Sequence, residues 1–304
     1  MSAPRAEGAP DMGGTPAAAG LLALAADTAA AAARLLADQG ARSRPEVVET
    51  KSSLTDVVTE MDRRAEALIT ERIRAARPGD AILGEEGGET HGAAGEEPGG
   101  PSALAVVRWI VDPLDGTVNY LYGLADWAVS IAAEVAGTIV AGVVAVPLHD
   151  ETFTAIRGQG AWLHSTAERG SATGGRGAAG LRCNRGVPLS QALVGTGFGY
   201  LPGRRRVQGD VVAALLPQIR DIRRGGSASV DLCMVAAGRL DAFYERGLNY
   251  WDYAAGALIA QEAGARVTGL GGRPAGTSLT VAAGPGLHDE LSAVLVTLNP
   301  ERDA

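Results

Sequence analysis

Trp109-Ile110-Val111-Asp112-Pro113-Leu114-Asp115-Gly116-Thr117 decides how this chain reads: a hydrophobic run that ends in two carboxylates three residues apart. Such a run predicts a strand, with two hard oxygen donors at its end. Pro113 fixes φ and Gly116 permits close backbone approach. Both carboxylates can then converge on a metal ion while the Gly116 and Thr117 amides point forward as anion donors. Asp followed by Pro is also the signature of a type I β-turn, and a plain turn over Asp112–Asp115 is compatible with the same role.

Upstream, the alanine- and leucine-rich segment Ala17–Gln39 predicts a helix closed by Gly40. Thr59-Glu60-Met61-Asp62 has capping-box spacing and precedes Ala65, Leu68, Ile69 and Ile73, so a second helix is expected to run to about Ala76. Ala81-Ile82-Leu83 reads as a short strand leading into Gly84-Glu85-Glu86, and Gly87–Ser102 as a mobile loop. Val106–Val111, Val129–Glu134, Thr138–Pro147 and Glu151–Ile156 read as strands of an antiparallel sheet continued by Trp162-Leu163, with a second loop over Gly170–Gly180.

Downstream, strands are expected at Ala192–Gly195, Ala242–Tyr244, Ala265–Val267 and Leu279–Ala283. Helices are expected at Val207–Ile219, Ser229–Ala237, Tyr253–Ala263 and His288–Leu298. This alternation favours an α/β layer packed on the first unit, with a boundary near residues 150–185. Gly195-Thr196-Gly197-Phe198-Gly199 has the wrong spacing for a dinucleotide fingerprint, and Pro202 is expected to interrupt any helix there. Cys233, beside Val230 and Met234, fits a packed helix face better than a nucleophile.

The formal net charge of −8 argues against a general nucleic-acid binder. Arg204, Arg205 and Arg206, with Arg220, Arg223 and Arg224, are the densest basic runs and read as solvated loop and helix ends. Two distant cysteines suggest neither a zinc site nor a disulfide framework, and residues 1–16 lack a signal-peptide core, so the cytoplasm is the expected compartment and no membrane partner is expected. His91, His149, His164 and His288 all lie outside the acidic motifs, which disfavours a phosphohistidine enzyme.

Further acids could join Asp112 and Asp115. Asp56 precedes the second helix, Glu85 and Glu86 follow a buried strand, and Asp252 opens a helix, where an N-cap is the ordinary explanation. Glu245 reads on its own as a surface acid at a strand end.

KSSLTDVVTEMD, ILGEEGG, WIVDPLDGTVNY and FYERGLNYWDYAAGALIAQEAG, in that order, resemble the inositol monophosphatase family over roughly residues 17–298, and within it the actinobacterial inositol-1-monophosphatases most. The resemblance implies an α+β fold, a layered α-β-α-β-α sandwich of the inositol monophosphatase/fructose bisphosphatase type. Behind a disordered tail (1–16), residues 17–160 would carry most metal ligands and residues 161–304 would carry Asp252 and the polyol contacts. It further implies that Glu85, Asp112, Asp115, Asp252 and the Leu114 carbonyl bind two Mg²⁺, that Asp56 helps hold a third, and that a Glu85–Thr117 pair orients the attacking water. The Gly116 and Thr117 amides would hold phosphate, and Asp115, Ala228, Glu245 and Asp252 the polyol. Asn249 stands where some relatives carry a histidine.

The implied reaction is Mg²⁺-dependent, lithium-sensitive hydrolysis of inositol monophosphate to inositol and phosphate by a homodimeric enzyme. The same chemistry on histidinol phosphate, a nucleoside bisphosphate or a sugar bisphosphate is the alternative. A regulatory protein- or RNA-binding module is a second.

Overall fold

The computed structural model describes residues 15–40, 47–50, 57–92, 107–165 and 178–303. Its helices are α1 (Thr15–Gly40), α2 (Glu60–Ala76), α3 (Thr117–Tyr122), α4 (Pro202–Leu215), α5 (Ala228–Ala236), α6 (Tyr250–Glu262) and α7 (Pro285–Leu298). The first strands are β1 (Val47–Thr50), β2 (Val57–Thr59), β3 (Ala81–Gly84), β4 (Gly88–Thr90), β5 (Val107–Asp115), β6 (Ala128–Val135), β7 (Thr138–Val146) and β8 (Glu151–Ile156). They are followed by β9 (Ala161–Ser165), β10 (Ala178–Gly180), β11 (Leu193–Thr196), β12 (Asp221–Arg223), β13 (Ala242–Glu245), β14 (Arg266–Thr268) and β15 (Thr280–Ala283).

Eight strands form the first sheet in the order β10-β9-β8-β7-β6-β5-β3-β4, antiparallel except for the parallel β3–β5 pair. Five form the second, β12-β11-β13-β15-β14. α1 and α2 cover the outer face of the first sheet, burying Leu21, Ala25, Leu36, Ile69 and Ile73 against Trp109, Val111 and Ile131. α5 and α6 fill the space between the sheets, and α4 and α7 close the far side. The order of layers is α-β-α-β-α.

A helix packed on both sides cannot be amphipathic, and in α6 the run from Ala254 to Ala260 is buried all round. Its small residues let layers approach: a Cβ on Gly142 of β7 would lie 3.1 Å from the Ala255 Cα, and one on Gly256 2.9 Å from Leu232 of α5. The alanine and glycine content of the chain is thus spent on close layer contacts. α1 matches a membrane span in length and apolarity over Ala18–Gly40, with a mean hydropathy of 1.4. Its buried stripe instead packs on the sheet.

Several local expectations change. β5 continues as a strand through Asp115, with a register shift against β6 between Asp112 and Asp115, so the segment is a bulged strand end rather than a turn. Pro202, expected as a helix breaker, is the first residue of α4, where its missing N–H costs nothing; Arg204–Arg206 therefore lie in a helical first turn. Gly88–Thr90 forms β4 within the expected mobile loop, and β10 occupies the end of the second one. β9 and β10 both belong to the first sheet, which therefore extends past residue 160. Residues 1–14 and the expected ligand Asp56 lie outside the described residues.

Candidate active site

Three elements bring the acids together. β5 delivers Asp112 and Asp115, the turn after its parallel neighbour β3 delivers Glu85, and the first turn of α6 delivers Asp252. Asp252 is not the N-cap: Asn249 is. Asp252 sits three residues in and accepts the Asn249 N–H at 2.7 Å as its half of a capping box. That bond turns its carboxylate back toward the helix entrance.

Asp112 is buried, and burial is the first cause that holds its carboxyl well above the ordinary carboxylate range. The charges acting on it most strongly are those of Glu85, Asp115 and Asp252, all raising it further, and a hydrogen bond with Glu85 adds to them. Asp252 is likewise pushed well up by burial, then by Glu85 and Asp115. Among the described residues no three His, Cys, Asp or Glu side chains already form a closed metal cage. The donor set is nevertheless all oxygen and mutually repulsive, which suits a hard divalent cation.

Asp115 is treated differently. Burial raises it, but α5 offsets this with donors: the Ser229 hydroxyl, the Ser227 hydroxyl and the Ser229 amide, the last two each 2.7 Å from its carboxylate, and the Ala228 amide. Ala228 therefore reaches the site through its backbone. Gly116 follows with φ 92°, a left-handed conformation that starts α3, and a Cβ there would come within 3.0 Å of the Asp126 carbonyl. Asn119 ties α3 to the approach to α5, donating to the carbonyls of Asp126 (2.5 Å) and Gly225 (2.9 Å).

The Thr117 hydroxyl has one proton and two acceptors, Asp62 Oδ1 at 3.0 Å and the Leu114 carbonyl at 3.1 Å. Asp62 is the acid that sequence reasoning passed over as a helix cap. It does cap α2, accepting the Thr59 N–H at 2.8 Å and the Thr59 hydroxyl at 2.5 Å through Oδ2. Its other oxygen is left for Thr117. Its available signal was an apolar stripe, Met61, Ala65, Ile69 and Ile73, that carries Asp62 on the same buried face.

On the alcohol side, Glu245 ends β13 beneath Gly197, where any Cβ would collide with its carboxylate. Burial pushes it up to about 8, with Arg224 pulling it down and Asp115 pushing it up. Arg224 also acts on the buried Asp231. Arg224 is exposed, as expected of a solvated terminus, yet its charge lies close enough to act on both Glu245 and Asp231.

Residues 19–299 match the model of the inositol monophosphatase family. The chain belongs to that family. Inositol-1-monophosphatase SuhB of Mycobacterium tuberculosis is 48% identical over 258 residues, 83% of this chain and 82% of the relative. Nus factor SuhB of Escherichia coli is 38% identical over 230 residues, 75% of this chain and 78% of the relative. Among solved structures, Mycobacterium tuberculosis SuhB superposes with a TM-score of 0.74 at 42% identity, covering 93% of this chain and 98% of its own. Inositol monophosphatase from Anabaena gives a TM-score of 0.74 at 31% identity, with 93% and 97% covered. The layered α+β fold of this inositol monophosphatase family member is that of these structures.

Proposed function

We propose that this chain is a Mg²⁺-dependent phosphatase that releases inositol and inorganic phosphate from inositol monophosphate. The observation that carries the reading is the set of mutually repelling oxygen donors, the buried Asp112 with the half-buried Glu85, Asp115 and Asp252, beside the Gly116 and Thr117 amides. Glu85, Asp112, Asp115, Asp252 and the Leu114 carbonyl would hold the ions. Bound there, Mg²⁺ would neutralise charge on the attacking and leaving oxygens of the phosphate ester and make a nearby water more acidic. The raised carboxyl of Asp112 would give up its proton as the site fills, so binding would be coupled to proton release.

The protein's own groups orient the rest. Gly116 and Thr117 amides at the entrance of α3 bind phosphate oxygens. Thr117, giving its proton to Asp62, turns a lone pair toward the attacking water and holds it in line with the ester bond. Water oxygen bonds to phosphorus as the bond to the sugar oxygen breaks, and the alcohol leaves with a proton. Asp115, Glu245 and Asp252 accept hydroxyl hydrogen bonds from the polyol, and Ala228 lines its place.

The test is Mg²⁺-dependent phosphate release from inositol 1-phosphate, histidinol phosphate, a nucleoside bisphosphate and a sugar bisphosphate, compared by kcat/KM. Inositol 1-phosphate is expected to lead the panel. A leading histidinol phosphate or bisphosphate sinks the choice of alcohol, and no turnover of any of them sinks the phosphatase reading.

A second reading, contact with the transcription machinery, is favoured by relatives named Nus factor SuhB in Escherichia coli and Pseudomonas aeruginosa. The acidic net charge directs that reading to a protein partner rather than to nucleic acid.

A further inference from the structure

We infer that Glu66 is the positioning residue that sets the Glu85 side chain in the metal site, an inference that rests on the reading of Glu85 as a metal ligand. β3 ends at Gly84, and the chain turns through Glu85-Glu86-Gly87 into β4. Both amides of that turn point at one carboxylate. Glu86 N–H donates to Glu66 Oε2 at 2.8 Å and Gly87 N–H to Oε1 at 2.7 Å. Two parallel bonds to one planar group fix the tilt of the turn as well as its position, and charge makes each stronger than a neutral bond. The tilt decides where the Glu85 side chain goes.

The glycines flanking Glu85 point to the same clamp independently. A Cβ on Gly84 would lie 2.7 Å from the Glu66 carboxyl carbon, and one on Gly87 2.6 Å from Oε1. Neither residue has a positive φ, so it is room for the carboxylate, not backbone conformation, that requires glycine at both places.

Glu66 lies one helical turn beyond Asp62 on α2, so the two share a face. Asp62 reaches the Thr117 hydroxyl and Glu66 reaches the Glu85 turn. The helix between them is seated by Ala65, Ile69 and Ile73, all fully buried. α2 thereby sets the spacing between the hydroxyl that orients the nucleophile and a carboxylate that holds metal. Partners of this kind, one bond removed from the metal, typically govern about 10–100-fold in affinity.

The experiment is Glu66→Gln in the full chain. The change keeps the volume but turns an amide NH₂ toward one of the two N–H donors. Three quantities are read: hydrogen exchange of the Glu86 and Gly87 amides without metal, Mg²⁺ affinity by calorimetry, and kcat at saturating Mg²⁺. Glu71→Gln, at an exposed site on the same helix, is the control.

Faster exchange at both amides is expected, with Mg²⁺ bound about tenfold more weakly or worse and kcat at saturating Mg²⁺ close to the parent's. Gly87→Ala, which crowds the clamp from the loop side, is expected to reproduce all three and serves if the glutamine variant does not fold. Unchanged exchange, or faster exchange with unchanged Mg²⁺ affinity, overturns the positioning role and leaves the phosphatase reading standing. A parent protein that binds no Mg²⁺ overturns both.

Discussion

Asp62 and Glu66 on α2 take their hydrogen bonds from Thr59, Thr117 and the Glu86 and Gly87 amides, whereas Asp112 and Glu85, at the ends of β5 and β3, share a bond with each other. Both pairs are acids at the same site. Burial raises the carboxyl of Asp62 as well, but donors from Thr59 and Thr117 offset it in part and hold the group at a fixed place, whereas a carboxylate surrounded by other carboxylates has its charge compensated only by protons or by a cation. Asp115 lies between the two conditions, near the other acids but taking four donors from the start of α5. The contrast separates the groups that position from those proposed to bind metal.

Asp112→Asn strikes the second set and has the largest expected effect. Loss of a shared metal ligand removes several kcal/mol of transition-state stabilisation, about 10³-fold or more in turnover. Stability of the metal-free protein moves the other way. The folded carboxyl of Asp112 keeps its proton at pH values where the unfolded chain has lost it, so from about pH 4 upward the native state binds more protons than the unfolded one, and stability falls as pH rises. Asparagine carries no such penalty. The metal-free variant should therefore melt at a higher temperature than the parent at pH 7.5, with a flatter Tm-against-pH profile, and Mg²⁺ should narrow the gap by stabilising the parent. A metal-free variant less stable than its parent at that pH would mean the acids of β5 are not under mutual strain.

Asp62→Asn strikes the first set. Asparagine can still accept the Thr59 amide, so the capping of α2 survives in part, but the hydroxyl of Thr117 loses its charged acceptor. A fall in kcat of about 10²-fold is expected, within the usual range for a positioned acid or base, with Mg²⁺ half-saturation nearly unchanged. The measurement is a Mg²⁺ titration of initial rate. A large rise in half-saturation with kcat retained would place Asp62 among the metal-binding acids and erase the distinction drawn between the two sets.

The same distinction explains what could be read from sequence. Asp112, Asp115 and Gly116 lie in one short stretch whose chemistry is local, and the layered fold followed from family resemblance together with strand and helix periodicity. Asp62 was hidden because an acid three residues after a threonine already has a complete local explanation as a capping box; its second oxygen finds Thr117 only through the packing of α2 on β5. Glu66 was hidden because its partners are backbone amides, which leave no side-chain signature beyond the glycines they require. Asp252 was found for the wrong local reason: an acid in a first turn fits an N-cap and an N3 position alike, and only Asn249 decided between them. Arg224 is solvated as read, but its influence on Glu245 was hidden because nothing in its own segment announces that acid, which lies in β13.

Ser227→Ala tests the intermediate case and has the smallest expected effect. The serine is the N-cap of α5, accepting the Val230 N–H, and its hydroxyl donates to Asp115 at 2.7 Å. Removing it costs about 1 kcal/mol in urea unfolding, the usual scale for a lost cap. Asp115 keeps the Ser229 hydroxyl, the Ser229 amide at 2.7 Å and the Ala228 amide, so its carboxylate should hold its place and kcat should fall by no more than about threefold, since each 1.4 kcal/mol is a tenfold change and a single bond among four contributes less. A drop as large as that from Asp62→Asn would show that Asp115 depends on one hydroxyl rather than on the helix entrance as a whole. It would then belong with the donor-poor acids.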